Sequence, residues 1–245
     1  MQTFDFSSAR ILVTGASSGI GRATAIYLSQ LGAELVLNGR NESRLSETHQ
    51  ALAGSGHRIF SQDLTASEDL SPLFDLAVED GHKLTGLVHC AGVSRVLPLN
   101  LLTRERMLQE FTLNTFVYVD LIRMYAKKKY SSGGSIVGIS SIASVQPEKC
   151  QTIYAASKAA LNTITRTLAL ELAPRGIRVN AVLPGAVRTP MGEDSSSGNS
   201  LDQISQSQLF GAAEPEDIAA MCAFLLSDLS RQSTGRLFYA DGGRL

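Results

Sequence analysis

The chain has no tryptophan and only three cysteines, Cys90, Cys150 and Cys222, in 245 residues. They are odd in number and widely scattered, and no Cys-x-x-Cys pair occurs. This excludes a disulfide framework and a cysteine-built zinc site, and no metal is expected. Such usage suits a reducing compartment. An excess of one charge is also missing: 22 Lys and Arg stand against 23 Asp and Glu, a formal net charge of −1. No global field draws the chain to nucleic acid or to an anionic membrane, and no basic stripe is present. No apolar run is long enough to span a bilayer, and Met1–Ser8 lacks the charged-then-apolar pattern of a secretory signal. The expectation is a cytoplasmic protein with neither membrane nor nucleic acid as partner.

What is present is an alternation. Short apolar runs occur at Ile11–Val13, Leu35–Leu37, Arg58–Phe60, Leu87–His89, Ile136–Ile139, Val179–Leu183 and Leu237–Ala240. Several are nearly continuous in Val, Ile and Leu, the pattern of strands covered on both faces. Between them lie helix-like stretches, notably Arg22–Gln30, Tyr154–Ala173 and Glu216–Leu226. Strand–helix repetition predicts an α/β fold, a doubly wound parallel sheet of about seven strands, in a single domain over residues 1–245. One stretch, Gly192–Ser207, is rich in Ser, Gly, Asn and Gln. A loop of that length inside a compact domain is read as a substrate lid, placed near 190–212.

The first run is followed by Thr14-Gly15-Ala16-Ser17-Ser18-Gly19-Ile20-Gly21. Glycines between a strand and a helix let the chain turn tightly and let a phosphate approach the N–H groups at the helix start. Gly15, Gly19 and Gly21 are therefore placed around a dinucleotide pyrophosphate, and the spacing Gly-x-x-x-Gly-x-Gly differs from the commoner Gly-x-Gly-x-x-Gly. The second run ends Asn38-Gly39-Arg40-Asn41. An NAD site usually carries an acid there to accept from the ribose hydroxyls. Gly39 takes that place and Arg40 follows, which favours NADP(H) over NAD(H), because a guanidinium binds a 2′-phosphate. No basic residue lies in Ala16–Ser18 to make a second phosphate contact. Asp63 has two readings of equal weight, an acceptor for the adenine amino group or an N-cap for the next helix.

Tyr154 and Lys158 lie four apart and so share one helix face. A phenol ionises near pH 10, far from neutrality, and a nearby ammonium stabilises the phenolate. That pairing suits proton transfer to or from a carbonyl or alcohol oxygen. Ser140 and Ser141 follow the fifth run, at the sheet edge where open α/β folds bind ligands.

Together the glycine motif, Tyr-x-x-x-Lys, a serine thirteen residues before the tyrosine, Asn114, Pro184-Gly185 and Asp241-Gly242-Gly243 resemble the short-chain dehydrogenase/reductase family, in order and spacing, over nearly the whole chain. The resemblance implies an NAD(P)-dependent oxidoreductase reducing a ketone to a secondary alcohol, reversibly. It implies Tyr154 as general acid, Lys158 as its partner and ribose contact, Ser141 as the residue orienting the carbonyl, and Asn114 as holder of a relay water. Ser17, Ser18, Ile20, Leu64, Ala91, Gly92, Pro184, Gly185, Val187 and Thr189 become cofactor contacts with the glycines. Where the family usually has Asn-Asn-Ala-Gly, this chain has His89-Cys90-Ala91-Gly92. Ala91 and Gly92 keep the close backbone approach, and His89 is read as a satisfied buried side chain rather than a base. Leu97, Leu99, Gln146, Cys150, Val187 and Met191 are expected to border the substrate pocket. The pattern is most like 3-oxoacyl-[acyl carrier protein] reductases, which makes a 3-oxoacyl thioester the leading substrate and acyl carrier protein a candidate partner, contacted through Arg175. The second basic contact falls near Ser132, which is not basic, with Lys127, Lys128 and Lys129 just upstream. A sugar, polyol or other small-ketone reductase is the alternative. A homotetramer or homodimer is implied, through Arg104–Lys129 and Tyr154–Ala173.

Overall fold

The computed structural model describes residues 4–193, 201 and 205–244. Among them, β1 (Arg10–Thr14), β2 (Glu34–Gly39), β3 (Arg58–Ser61), β4 (Leu84–His89), β5 (Ser131–Ile139), β6 (Ile177–Pro184) and β7 (Leu237–Ala240) form one sheet. Their order is β3-β2-β1-β4-β5-β6-β7, and every neighbouring pair is parallel. The seven predicted runs all become strands.

The helices are α1 (Gly19–Gln30), α2 (Glu42–Gln50), α3 (Ser71–Ala77), α4 (Arg104–Phe111), α5 (Val117–Tyr125), α6 (Thr152–Leu172), the short α7 (Pro190–Glu193) and α8 (Pro215–Leu226). Side chains alternate across each strand, so the sheet has two apolar faces. Leu12, Val36, Leu87, Ile136, Val179 and Leu183 meet Leu73 and Phe74 of α3, Tyr118 and Leu121 of α5 and Leu161 of α6. Ile11, Val13, Leu35, Leu37, Val88, Val137 and Val182 meet Ala25 and Leu28 of α1, Leu45 of α2 and Ile218, Cys222 and Leu225 of α8. Each fully buried Leu, Ile or Val contributes about 1.5–3 kcal/mol by leaving water. The sheet is thus held from both sides, as the continuous apolar runs require.

The strand order reverses between β1 and β4, where consecutive βα loops leave toward opposite sides and open a crevice at the carboxyl edge. Backbone from both strands meets there. Gly15 has φ +66, and a Cβ on it would stand 2.7 Å from the N of Ala91. At the other edge, the Arg10 guanidinium, only 3% exposed, binds Glu34, Asp80 and the carbonyls of Ala77 and His82. This ion cluster secures the amino ends of the strands, away from the crevice.

Candidate active site

A cleft of about 500 Å³ runs along the carboxyl edge of the sheet. Its floor at the β1 end is the glycine turn. Ala16 N–H donates to the Asn38 carbonyl and Thr48 donates to that of Ala16, which ties the turn to β2 and α2. A Cβ on Gly21 would lie 2.3 Å from the Gly15 carbonyl oxygen, so only glycine closes this turn. Ser18, the N-cap of α1, makes no side-chain capping bond. The first N–H groups of α1 are therefore left for an anion, in the positive field of the helix start. Ser17, Ser18, Gly19 and Ile20 line the cleft, as do Leu64, Ala91, Gly92, Pro184, Gly185, Val187 and Thr189. These donors and glycine approaches fit a dinucleotide.

Gly39 ends β2, and a Cβ there would meet Ser17 and Leu45 at 3.3 Å. Position 39 is thus already tight, and a side chain there requires the Ser17 and Leu45 side chains to give way by a few tenths of an ångström. Arg40 lines the cleft and is 72% exposed, 4.0 Å from Asp63. Arg44, on the first turn of α2, lines it as well. The sequence reading missed Arg44, although it lies only four residues past Arg40, because the stretch Glu42–Gln50 was not read as a helix. Asp63 is not the N-cap of α3, which follows Leu70. One Asp63 oxygen accepts from the N–H and hydroxyl of Thr65, holding its carboxyl below the usual range, with Arg40 adding to the effect. The helix-cap reading is overturned. The side chain borders the cleft.

Farther along, β5 and α6 meet. The Lys158 ammonium, 5% exposed, donates to the Ile139 carbonyl at 2.8 Å. Ser140 donates to the Lys158 carbonyl at 3.3 Å, so this serine holds the helix and Ser141 is the one that faces the tyrosine. Ser141 also accepts from Ala143 N–H, which fixes the turn it begins. Burial pushes the Lys158 amine down to about 8, leaving it mostly protonated at neutrality. Burial raises the Tyr154 phenol, outweighing its hydrogen bond with Ser141, and the Glu110 carboxylate adds to the rise. The expectation that Lys158 lowers this phenol is not met without a bound cofactor: desolvation dominates, and the ammonium is engaged by Ile139.

Asn114 ties the fold together through its side chain. It is buried behind the cleft, on a π turn, Thr112–Phe116, between α4 and α5. Its Oδ1 accepts from Val93 N–H, and its Nδ2 donates to the Val93 carbonyl and to Ser157 Oγ, at 2.9–3.0 Å. The side chain is a clamp between the β4 loop and α6. His89 is fully buried, bonded through Nδ1 to Thr14 and stacked on Tyr118. Burial pushes its pKa down to about 3, so it stays neutral.

Of the expected pocket border, Val187 and Met191 line the cleft, whereas Leu97, Leu99, Gln146 and Cys150 do not. Leu99 is 80% exposed, and the Cys150 carbonyl accepts from Leu97 N–H. Val93, Val96, Leu113 and Ile142 line it instead, with Glu148, Lys149, Gln151 and Arg244 as a polar wall. The expected lid is described in part. Pro190–Glu193 is helical and Leu201 is buried against the cleft, while 194–200 and 202–204 lie outside the described residues.

A family model described as Enoyl-(Acyl carrier protein) reductase matches residues 15–244. An L-xylulose reductase of Caenorhabditis elegans is 34% identical over 246 residues, 98% of this chain and 97% of that protein. A 3-oxoacyl-[acyl-carrier-protein] reductase of Thermotoga maritima is 32% identical over 237 residues, 95% of this chain and 96% of that one. Among solved structures, a short-chain type dehydrogenase/reductase from Mycobacterium ulcerans matches with a TM-score of 0.88 at 31% identity, covering 98% of this chain and 90% of that one. Similarity of this extent, on the sheet order and crevice described above, makes the chain a member of the short-chain dehydrogenase/reductase family of NAD(P)-dependent oxidoreductases.

Proposed function

We propose that the chain uses NADPH to reduce a ketone to a secondary alcohol, with Tyr154 as general acid. The observation that carries this reading is the convergence of Ser141, Tyr154 and Lys158 in a cleft whose opposite end presents Arg40 and Arg44. Bound nicotinamide supplies the hydride that reaches the carbonyl carbon. Ser141 and Tyr154 grip the carbonyl oxygen, and Tyr154 passes it a proton as negative charge develops there. A phenol raised by burial is protonated at neutrality, which suits the acid of a reduction. The Lys158 ammonium and the positive start of α6 then stabilise the phenolate. Asp63 is proposed as the adenine contact and Thr189 as the carboxamide contact.

For the substrate, the relatives include reductases named for 3-oxoacyl thioesters and for a sugar. The thioester reading calls for docking of acyl carrier protein at Arg175 and near Ser132. Arg175 donates to the Ala126 carbonyl at the end of α5, and Ser132 accepts from Lys83 at 3.2 Å. Both groups already serve the fold. The polar wall of Glu148, Lys149, Gln151 and Arg244 favours the second reading, a small polar ketone. Oxidation of NADPH, followed by absorbance, on an acetoacetyl thioester, a cyclic ketone and several keto-sugars tests both. Turnover of the small ketones above the thioester is expected; turnover of none of them would sink the reductase reading.

A further inference from the structure

The substrate wall contains an ion pair that the reduction mechanism does not use. Arg244, beyond β7, bonds Glu148, which sits on the loop joining Ser141 to Tyr154. Both side chains line the cleft. Arg244 is 13% exposed and Glu148 34%. Holding a nearly buried guanidinium in a partly apolar cleft costs desolvation, which an exposed pairing would avoid.

Position along the sheet separates this cation from the cofactor phosphate. Arg40 follows β2 and Arg244 follows β7, five strand steps away. At ~4.8 Å per step the two lie about 24 Å apart across the sheet. Arg244 therefore belongs to the nicotinamide and substrate end. Its backbone is fixed there independently of Glu148. It bridges Gln208, whose side chain accepts from Ala186 N–H and donates to the Gly211 carbonyl. Ala186 directly follows the Pro184-Gly185 pair. Glu148, by contrast, is a loop side chain that reaches water by rotating.

We propose that Arg244 anchors an acidic group of the substrate, a carboxylate, and that Glu148 occupies the anchor until the substrate displaces it. A planar guanidinium takes a carboxylate through two parallel N–H bonds, so a substrate carboxylate reproduces what Glu148 provides. Exchange is inexpensive, because a half-exposed carboxylate recovers its hydration on leaving. Lys149, exposed beside it, adds positive charge, and among the described cleft-lining residues Glu148 is the one acid at this end. The substrate class is then a keto acid. This rests on the ketone-reduction reading and narrows it.

The test compares charge at constant shape. Straight-chain keto acids with the ketone at carbons two to five are assayed with NADPH, each beside its methyl ester. At least one acid should exceed its ester in kcat/KM by about ten- to hundredfold, the worth of a charge-assisted contact. Arg244→Gln should cancel that ratio through KM, and Glu148→Gln should enlarge it by removing the competitor. Thermal melting and NADPH fluorescence check that each variant is folded; if Arg244→Gln is not, the Glu148→Gln ratio decides. Esters reduced as well as every acid, or an acid preference that survives Arg244→Gln, would overturn the anchor alone. No turnover of either form while a cyclic ketone or keto-sugar is reduced would also overturn the anchor alone; no turnover of any of these ketones would overturn the ketone reading with it.

Discussion

At position 39 the absence of a side chain does two things. It leaves no acid beside the proposed 2′-phosphate site, and it makes room for Ser17 and Leu45, which stand 3.3 Å from where a Cβ would be. Cofactor choice is therefore best probed at the arginines rather than by installing Asp at 39. A charge-assisted contact is worth about 1.5–3 kcal/mol, and exposure places Arg40 at the low end. Arg40→Leu should lower the NADPH-over-NADH ratio of kcat/KM by about tenfold, and adding Arg44→Leu by about a hundredfold. A double variant that retains its ratio would show the phosphate to be read elsewhere. At the other end, Tyr154→Phe keeps the ring and removes the proton. Turnover should fall by about 10²–10⁴ while NADPH still quenches or enhances fluorescence as before. Near-normal turnover in that variant is the result incompatible with an acid at this position.

Two small elements carry the site. The glycine turn holds its shape because Gly15 and Gly21 pack backbone on backbone, and it was legible as a motif because only that residue type allows such contact. The π turn was not legible. Nothing in Thr112–Phe116 announces a wider turn, and Asn114 was placed by family order alone. Its function in the fold is set by partners distant in sequence, Val93 and Ser157. Asn114→Ala would leave the half-buried Val93 N–H and carbonyl without a partner, while Ser157 keeps its bond to the Tyr154 carbonyl, a loss of about 2–4 kcal/mol. At roughly 2–4 °C per kcal/mol, calorimetry should register a fall of about 5–15 °C in Tm. An unchanged Tm would mean that water replaces the clamp at no cost. The same blindness hid Glu110, a buried carboxylate on α4 that accepts from Arg95 N–H at 3.4 Å and contributes to the field at Tyr154. In sequence it is one of several charged residues on an amphipathic helix.

Across the whole molecule, the surface of α4 and the turn after it exposes apolar side chains that a monomer would leave in water. Leu108 is 53% and Phe116 48% exposed. They fall on the segment expected to pair copies of this chain, and symmetric association would cover them. Light scattering at micromolar concentration should give a dimer or tetramer, and Leu108→Asp should shift it to monomer with unchanged far-UV circular dichroism; monomer in the unaltered chain would contradict the expectation.

The sequence by itself determined the seven strands, the class of fold and the glycine, serine, tyrosine and lysine positions. Each of these is written in local pattern: continuous apolar runs for doubly covered strands, glycine where backbone meets backbone, a four-residue spacing for one helix face. Only the tertiary structure decided that Asn114 is a clamp, that Arg44 joins Arg40, that Leu97, Leu99, Gln146 and Cys150 stay out of the cleft, and that Arg244 meets Glu148. Apart from Arg44, four residues past Arg40, those facts depend on contacts between residues about twenty to a hundred apart, which no periodicity encodes. They depend too on burial, which set the Tyr154 phenol above its ordinary value against the lowering hydrogen bond of Ser141.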